Sequence, residues 1–219
     1  MKFLSKIEVY IFDFDGTVID NEQAHLYSWI EAFKIFVGDI NPSLIQHHFG
    51  KNSLDIASVF IQDKKQVRKC IKIKEEIYEK LWPQISKPVP CIEELLIKLK
   101  NSKKTVAIAS SSKRNIIIKV LKHFKLYHYF DIIVGIDNVS NPKPYPDLLL
   151  FIIKKLNIAP SEAVYIGDSP IDILTARNAG VYSVYLDMYE RRDPENKLLC
   201  TPDLTVNSLC ELLQLLEYI

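Results

Sequence analysis

The sequence predicts an α/β fold, a doubly wound parallel sheet interrupted after its first strand by an all-helical insertion. Three observations point to it. From residue 92 onward, short apolar β-rich runs alternate with helical periodicities, and such alternation implies right-handed βαβ units with helices on both faces of a parallel sheet. Residues 18–86 carry helical patterns and no strand pattern. Between these regions Lys87-Pro88-Val89-Pro90 changes the texture of the chain, because two prolines punctuate it.

In chain order, residues 8–12 read as a buried strand whose end, Asp13-Phe14-Asp15-Gly16-Thr17, carries two carboxylates. Ala24, Tyr27, Ile30, Phe33 and Val37 recur at helical spacing over 21–37, and 64–82 is a second long, Lys-rich helix. Shorter helical pieces fall at 43–48 and 53–62. There follow helix 92–100, strand 105–109, helix 113–124, strand 131–134, helix 146–156, strand 163–166, helix 170–179, strand 182–186 and a closing helix at 208–218. Residues 1–17 and 88–219 therefore form one α/β domain, with 18–87 as the helical insertion.

Composition excludes several classes. The 219 residues are 48% hydrophobic and include only 6 glycines, which rules out disordered and collagen-like chains. With 28 Lys plus Arg against 27 Asp plus Glu, the chain lacks the basic footprint of a nucleic-acid binder. Apolar runs such as 148–153 fall short of the about 18 residues a membrane span needs, and Glu8, Asp13 and Asp15 occupy positions where a signal peptide would be apolar. The expectation is a cytoplasmic protein, monomeric or homodimeric, without nucleic-acid or membrane partners. Cys70, Cys91, Cys200 and Cys210 form no CxxC pair and have no His at zinc spacing, so reduced thiols are expected rather than a disulfide or a metal site.

Ligands of open parallel sheets bind outside the carboxyl ends of the strands. Here the first strand presents Asp13 and Asp15; the second Ser110, Ser111 and Ser112; the loop after the third Lys143; and the fourth Asp168, with Asp172 one turn on. Asp13 and Asp15 lie two apart and project to one side of an extended backbone, where like charges call for a cation or a shared proton. Oxygen-only ligands select a hard cation, and a site open toward substrate suits Mg²⁺. The serines precede a helix, either as an anion site or as plain N-caps. Pro142, Pro144 and Pro146 restrict the loop that carries Lys143. Ser169, Pro170, Asp172 and Gly180 also satisfy the rules for beginning and ending a helix, which would account for Asp172 but not for Asp168.

These residues resemble the motifs of the haloacid dehalogenase (HAD) superfamily of phosphatases and phosphotransferases, in its phosphoglycolate phosphatase and β-phosphoglucomutase-like branch. Residues 11–17 resemble the first motif, Ser110 the second, Lys143 the third and residues 167–172 the fourth, in the family's order. The resemblance implies a Rossmann-like core with a helical cap at 18–87. It also implies an Asp13 nucleophile forming an aspartyl-phosphate and Asp15 as general acid and base. Mg²⁺ would be held by the Asp13 carboxylate, the Asp15 backbone carbonyl and Asp168. Ser110, with Ser111 beside it, and Lys143 would grip the phosphoryl oxygens, and Asp172 would orient Lys143 or metal-bound water. An acid at position 15 argues for phosphate esters over haloacids or phosphonates.

His25 with Trp29, and Lys74 with Tyr78, are spaced as in caps of the mutase-like subgroup, although His25 and Trp29 also read as packing residues. The mutases typically carry a Glu-Asp pair where this chain has Gly167-Asp168, which favours hydrolysis. The expected substrate is a small phosphate ester of phosphoglycolate or sugar-phosphate type. The alternatives are a mutase-like phosphotransferase and a non-catalytic phosphate-binding or signalling module; a receiver domain would be shorter and would lack the insertion.

Overall fold

A computed structural model describes residues 3–188 and 200–217. Its elements run β1 (Val9–Phe12), β2 (Ile19–Asp20), α1 (Glu22–Phe36), α2 (Pro42–Gln46), α3 (Ser53–Phe60), α4 (Lys64–Ile85), β3 (Lys87–Pro88), α5 (Ile92–Asn101) and β4 (Thr105–Ala109). They continue with α6 (Arg114–His123), β5 (Ile132–Val134), α7 (Asp147–Leu156), β6 (Ala163–Gly167), α8 (Pro170–Ala179), β7 (Tyr182–Leu186), β8 (Leu204–Val206) and α9 (Leu209–Glu217). Two compact units result, one of residues 1–19 and 88–219 and one of residues 20–87.

The first unit is built on a six-stranded sheet of order β5-β4-β1-β6-β7-β8 in which every neighbouring pair is parallel. Strands β1 and β6 are buried at every position. This explains their continuous apolar sequences, since a sheet covered on both faces leaves no position for alternating polar residues. Ile11 stands opposite both Ala107 and Tyr165, and these three pack with Ala109, Leu148, Ile152 and Ala176. From β1 the chain adds β4 and β5 on one side, then β6 on the other. This reversal of direction opens a crevice at the carboxyl end of β1.

In the second unit α1 packs along α4. Trp29, Phe33, Ile45, Ile56, Val67 and Cys70 form its core. Asn52 caps α3 and Asp63 caps α4, each accepting from a first-turn N–H.

Four features depart from the sequence expectations. Strands β2 and β3 fall in the region read as strand-free, or just after it, and β8 was not anticipated. Segments of two or three residues are too short to show a period. Helix α4 continues three residues past Trp82 through Pro83, since a proline in the last turn removes only one intrahelical bond. The closing helix begins at Leu209, and Tyr218 lies outside the described residues. Finally, Cys91 and Cys210 form a disulfide across 119 residues, which corrects the expectation of four thiols. The packing of α5 against α9 brings them together, a proximity that no local spacing rule detects. Closing a loop of that size stabilises by about 4–5 kcal/mol on chain-entropy grounds. Cys70 and Cys200 are buried free thiols, and burial pushes the Cys70 thiol up to about 11. Among the described residues, no helix is long and apolar enough to cross a membrane.

Candidate active site

Asp13 follows the last residue of β1 and stays within the sheet's hydrogen bonding, its N–H donating to the Ile166 carbonyl at 2.8 Å. The chain then turns tightly, with Val18 N–H donating to Phe14 O and Gly16 N–H to Ile19 O. Gly16 has φ +81°, and a Cβ there would lie 2.5 Å from Asp168 Oδ2, so both backbone conformation and space require glycine. Thr17 Oγ1 donates to Asp168 Oδ1 at 3.1 Å. The loop after β1 is thereby fixed against the end of β6.

Lys143 is only 2% exposed. Its Nζ lies 2.9 Å from Asp13 Oδ1 and 2.7 Å from Asp172 Oδ1. The proline-framed loop is anchored from α8, where Asn178 Nδ2 donates to the Pro144 carbonyl at 2.9 Å. Each oxygen of Asp172 serves two donors. Oδ1 accepts from Lys143 and from the Tyr165 hydroxyl at 3.2 Å, while Oδ2 accepts from the Ser169 N–H at 3.0 Å and the Ser169 hydroxyl at 2.5 Å. Gly167 makes this fit possible, because a Cβ there would stand 2.5 Å from Asp172 Cγ.

Oxygens of Asp13, Asp168 and Asp172 lie within 4.8 Å of one another, and all three residues are buried. Burial, chiefly, raises the Asp13 carboxyl well above the usual carboxylate range; Lys143 pulls it down, while Asp172, Asp168 and Asp15 push it further up. Burial disfavours the Lys143 ammonium, but Asp13 and Asp172 outweigh it and hold that ammonium above its ordinary value. The two shifts are compatible because one ammonium is shared. Lys143 is attracted by two carboxylates, whereas Asp13 is attracted by that ammonium but repelled by Asp172, Asp168 and Asp15. A buried oxygen-only donor set with surplus negative charge fits a divalent cation.

The serines are placed differently from plain helix caps. The first N–H of α6, on Arg114, donates to Asp137 Oδ1 at 2.8 Å, so Asp137 supplies that cap. Ser110 is buried at the end of β4, with its N–H on the Val134 carbonyl and its hydroxyl oxygen accepting from Ser112 N–H at 3.1 Å. Ser111 is half-buried in the same turn. Ser112 Oγ donates to Asp15 Oδ2 at 2.5 Å. The sequence places Ser112 in the hydroxyl cluster without singling it out. Its signal is its place in the serine run that ends β4, where the turn closed by Ser112 N–H on Ser110 Oγ keeps the two residues together.

Within the helical unit, His25, Trp29, Lys74 and Tyr78 come together. Lys74 Nζ lies 2.9 Å from His25 Nδ1, 4.8 Å from the centre of the Tyr78 ring and 5.4 Å from that of Trp29, and His25 stacks on Tyr78. Asn21 Nδ2 donates to the Tyr78 hydroxyl at 2.8 Å. Trp29 is buried in the core of that unit, in keeping with its reading as a packing residue.

The model of the haloacid dehalogenase-like hydrolase family matches residues 10–186, from the middle of β1 to the end of β7. The chain belongs to this family. Among haloacid dehalogenase-like hydrolases, a Caldanaerobacter subterraneus protein carrying a pyrophosphatase PpaX name is 33% identical over 180 residues, 82% of this chain and 81% of that one. A phosphoglycolate phosphatase of Vibrio parahaemolyticus is 28% identical over 222 residues, with 95% of both chains covered. The crystal structure of β-phosphoglucomutase from Clostridium difficile superposes with a TM-score of 0.82 at 25% identity, covering 97% of this chain and 96% of that one.

Proposed function

We propose that this haloacid dehalogenase-like hydrolase is a Mg²⁺-dependent phosphatase acting on a small phosphomonoester of phosphoglycolate or sugar-phosphate type. The observation that carries this reading is the pairing at the end of β1. Asp13 is buried among carboxylates with its Oδ1 on Lys143, and two residues on, Asp15 is held by Ser112. An oxygen of Asp13 attacks phosphorus while the bond to the leaving oxygen breaks, and Asp15 gives that oxygen its proton. Asp15 then takes a proton from the water that attacks the aspartyl-phosphate, releasing phosphate and restoring Asp13. Lys143 and Ser110 hold the non-bridging oxygens through both steps. Asp172 already accepts from four donors, which supports a role in orienting Lys143. Asp13, the Asp15 carbonyl and Asp168 would hold Mg²⁺, which when bound supplies charge neutralisation on the transferring phosphoryl group. We place the enzyme in the cytoplasm as a monomer or homodimer.

A second reading, a mutase-like phosphotransferase, is favoured by the cluster of His25, Trp29, Lys74 and Tyr78 and by the likeness to β-phosphoglucomutase. A phosphate-release screen over phosphoglycolate, hexose phosphates, nucleotides and pyrophosphate with Mg²⁺ separates the two. Release from a monoester is the expected result. Isomerisation of a hexose phosphate without release would establish the second reading, and inertness toward every substrate would overturn both.

Adding Mg²⁺ should raise the melting temperature, and EDTA should reverse the rise. At a hundredfold excess over the dissociation constant, the gain expected for a native-state ligand is about 2.7 kcal/mol. A melting curve indifferent to divalent cations would count against the aspartates as a cation site. Ser112→Ala removes the donor to Asp15 and is expected to lower kcat about tenfold, the kinetic equivalent of one charge-linked hydrogen bond. Its thermal stability should change little, because Ser112 is only half-buried; an unchanged kcat would show that Asp15 needs no such support.

A further inference from the structure

Tyr165 lies in β6, where it packs with Ile11, Ala107 and Ala109 in the main core and is fully buried. Its far end meets charged groups instead. The hydroxyl's single proton is shared between two acceptors, the Ala109 carbonyl at 2.8 Å and Asp172 Oδ1 at 3.2 Å. The Lys143 ammonium sits 5.2 Å from the centre of its ring. Ala109 is the last residue of β4, two strands from Tyr165 across β1, and immediately precedes Ser110.

We propose that Tyr165 is a positioning residue. Its ring carries the Lys143 ammonium, and its hydroxyl ties the Asp172 carboxylate to the end of β4, setting the distance between Lys143 and Ser110. This rests on the reading of Lys143 and Ser110 as the groups that hold the phosphoryl oxygens. The chemistry suits the task. A cation over an aromatic face gains attraction without giving up its hydrogen bonds, so Lys143 keeps its ammonium protons for carboxylates and substrate. Burial, followed by the nearby Asp13 and Asp172 charges, raises the phenol well above its ordinary value, so the hydroxyl remains a donor. A backbone carbonyl is a fixed anchor, and a group held by it moves with the strand.

Tyr165→Phe keeps the ring and deletes the hydroxyl; Tyr165→Leu deletes both. With an aryl phosphate and Mg²⁺, Tyr165→Phe is expected to lower kcat about tenfold with KM within about twofold, the loss of one buried hydroxyl proton shared between a carbonyl and a carboxylate. Tyr165→Leu is expected to lose about a hundredfold. Melting curves report the folded fraction at the assay temperature, so each kcat refers to folded enzyme. A Tyr165→Phe enzyme with wild-type kcat per folded molecule overturns the proposal, even if its melting temperature falls, since a merely structural tyrosine would behave that way. If Tyr165→Leu does not fold, Tyr165→Phe alone decides. Asp13→Asn is the companion control. Active wild type with inactive Asp13→Asn upholds the phosphatase reading, and an unaffected Tyr165→Phe then removes only the role of Tyr165. Phosphate release undiminished in Asp13→Asn, or absent from the wild type, overturns the reading and the proposal together.

Discussion

Asp13→Asn is expected to abolish phosphate release, by about 10⁴-fold or more, while making the metal-free protein more stable. The first part follows from removing the attacking oxygen, a loss for which no other group on the strand ends compensates. The second follows from electrostatics. The Asp13 carboxyl is held well above its ordinary value, first by burial and then by Asp172, Asp168 and Asp15. A carboxyl raised in the folded state contributes stability that is fully present below its unfolded value, about 3.9, and is lost as pH rises through the folded value. Across that interval the wild type loses stability that asparagine, which does not titrate, keeps. The stability gain should be absent near pH 4 and grow toward pH 7, each kcal/mol reading as about 2–4 °C in melting temperature for a chain of this size. A divalent cation offsets the repulsion that Asp172, Asp168 and Asp15 exert on Asp13, so Mg²⁺ should narrow the gap. Melting curves in EDTA and in Mg²⁺ at both pH values check this, and a variant less stable than wild type in EDTA at pH 7 would contradict it. Asp13 would then be a position where stability is given up for the proposed reactivity.

The carboxylates were legible in the sequence because a strand with no polar alternation has no structural use for charge at its end. Asp13 and Asp168 stand out for that reason. Asp172 was harder, since a helix-starting acid and a lysine partner are both sensible readings. The structure shows one carboxylate doing both, Oδ2 serving the Ser169 cap and Oδ1 serving Lys143. Of the two readings of the serines, plain capping is not what the first N–H of α6 uses, because it donates to Asp137, distant in sequence. Tyr165 and the Cys91–Cys210 bond were invisible for a related reason: their partners arrive through the packing of whole elements. A buried tyrosine on a strand looks like core until its hydroxyl is seen to reach the neighbour beyond the next strand. The family resemblance covers Asp13 and Lys143, but not the tyrosine ring over which Lys143 sits.

Lys143→Met should damage both activity and stability, and their different pH dependences separate the two effects. Methionine keeps the length of the stem and removes the charge. Activity should fall about 10³-fold, the order seen when one preorganised charge-stabilising donor is lost. Stability at neutral pH should fall by about 3–5 kcal/mol, because breaking a buried pair leaves its partners uncompensated. Those partners are the Asp13 and Asp172 carboxylates, 2.9 and 2.7 Å from the missing ammonium. Without the ammonium the Asp13 carboxyl rises further above its ordinary value, so the deficit should be largest at neutral pH and shrink toward pH 4. Asp172→Asn removes one of the stranded charges, and in a double-mutant cycle it should recover part of the stability lost in Lys143→Met. It should recover none of the activity, because no cation then faces the phosphoryl oxygens from that side. A Lys143→Met protein as stable as wild type at pH 7 would mean that the carboxylates are neutral there without lysine's help. Asp13 would then be a poor nucleophile until a metal arrives, and the activity of Lys143→Met should recover with rising Mg²⁺ where the arrangement described above predicts that it does not.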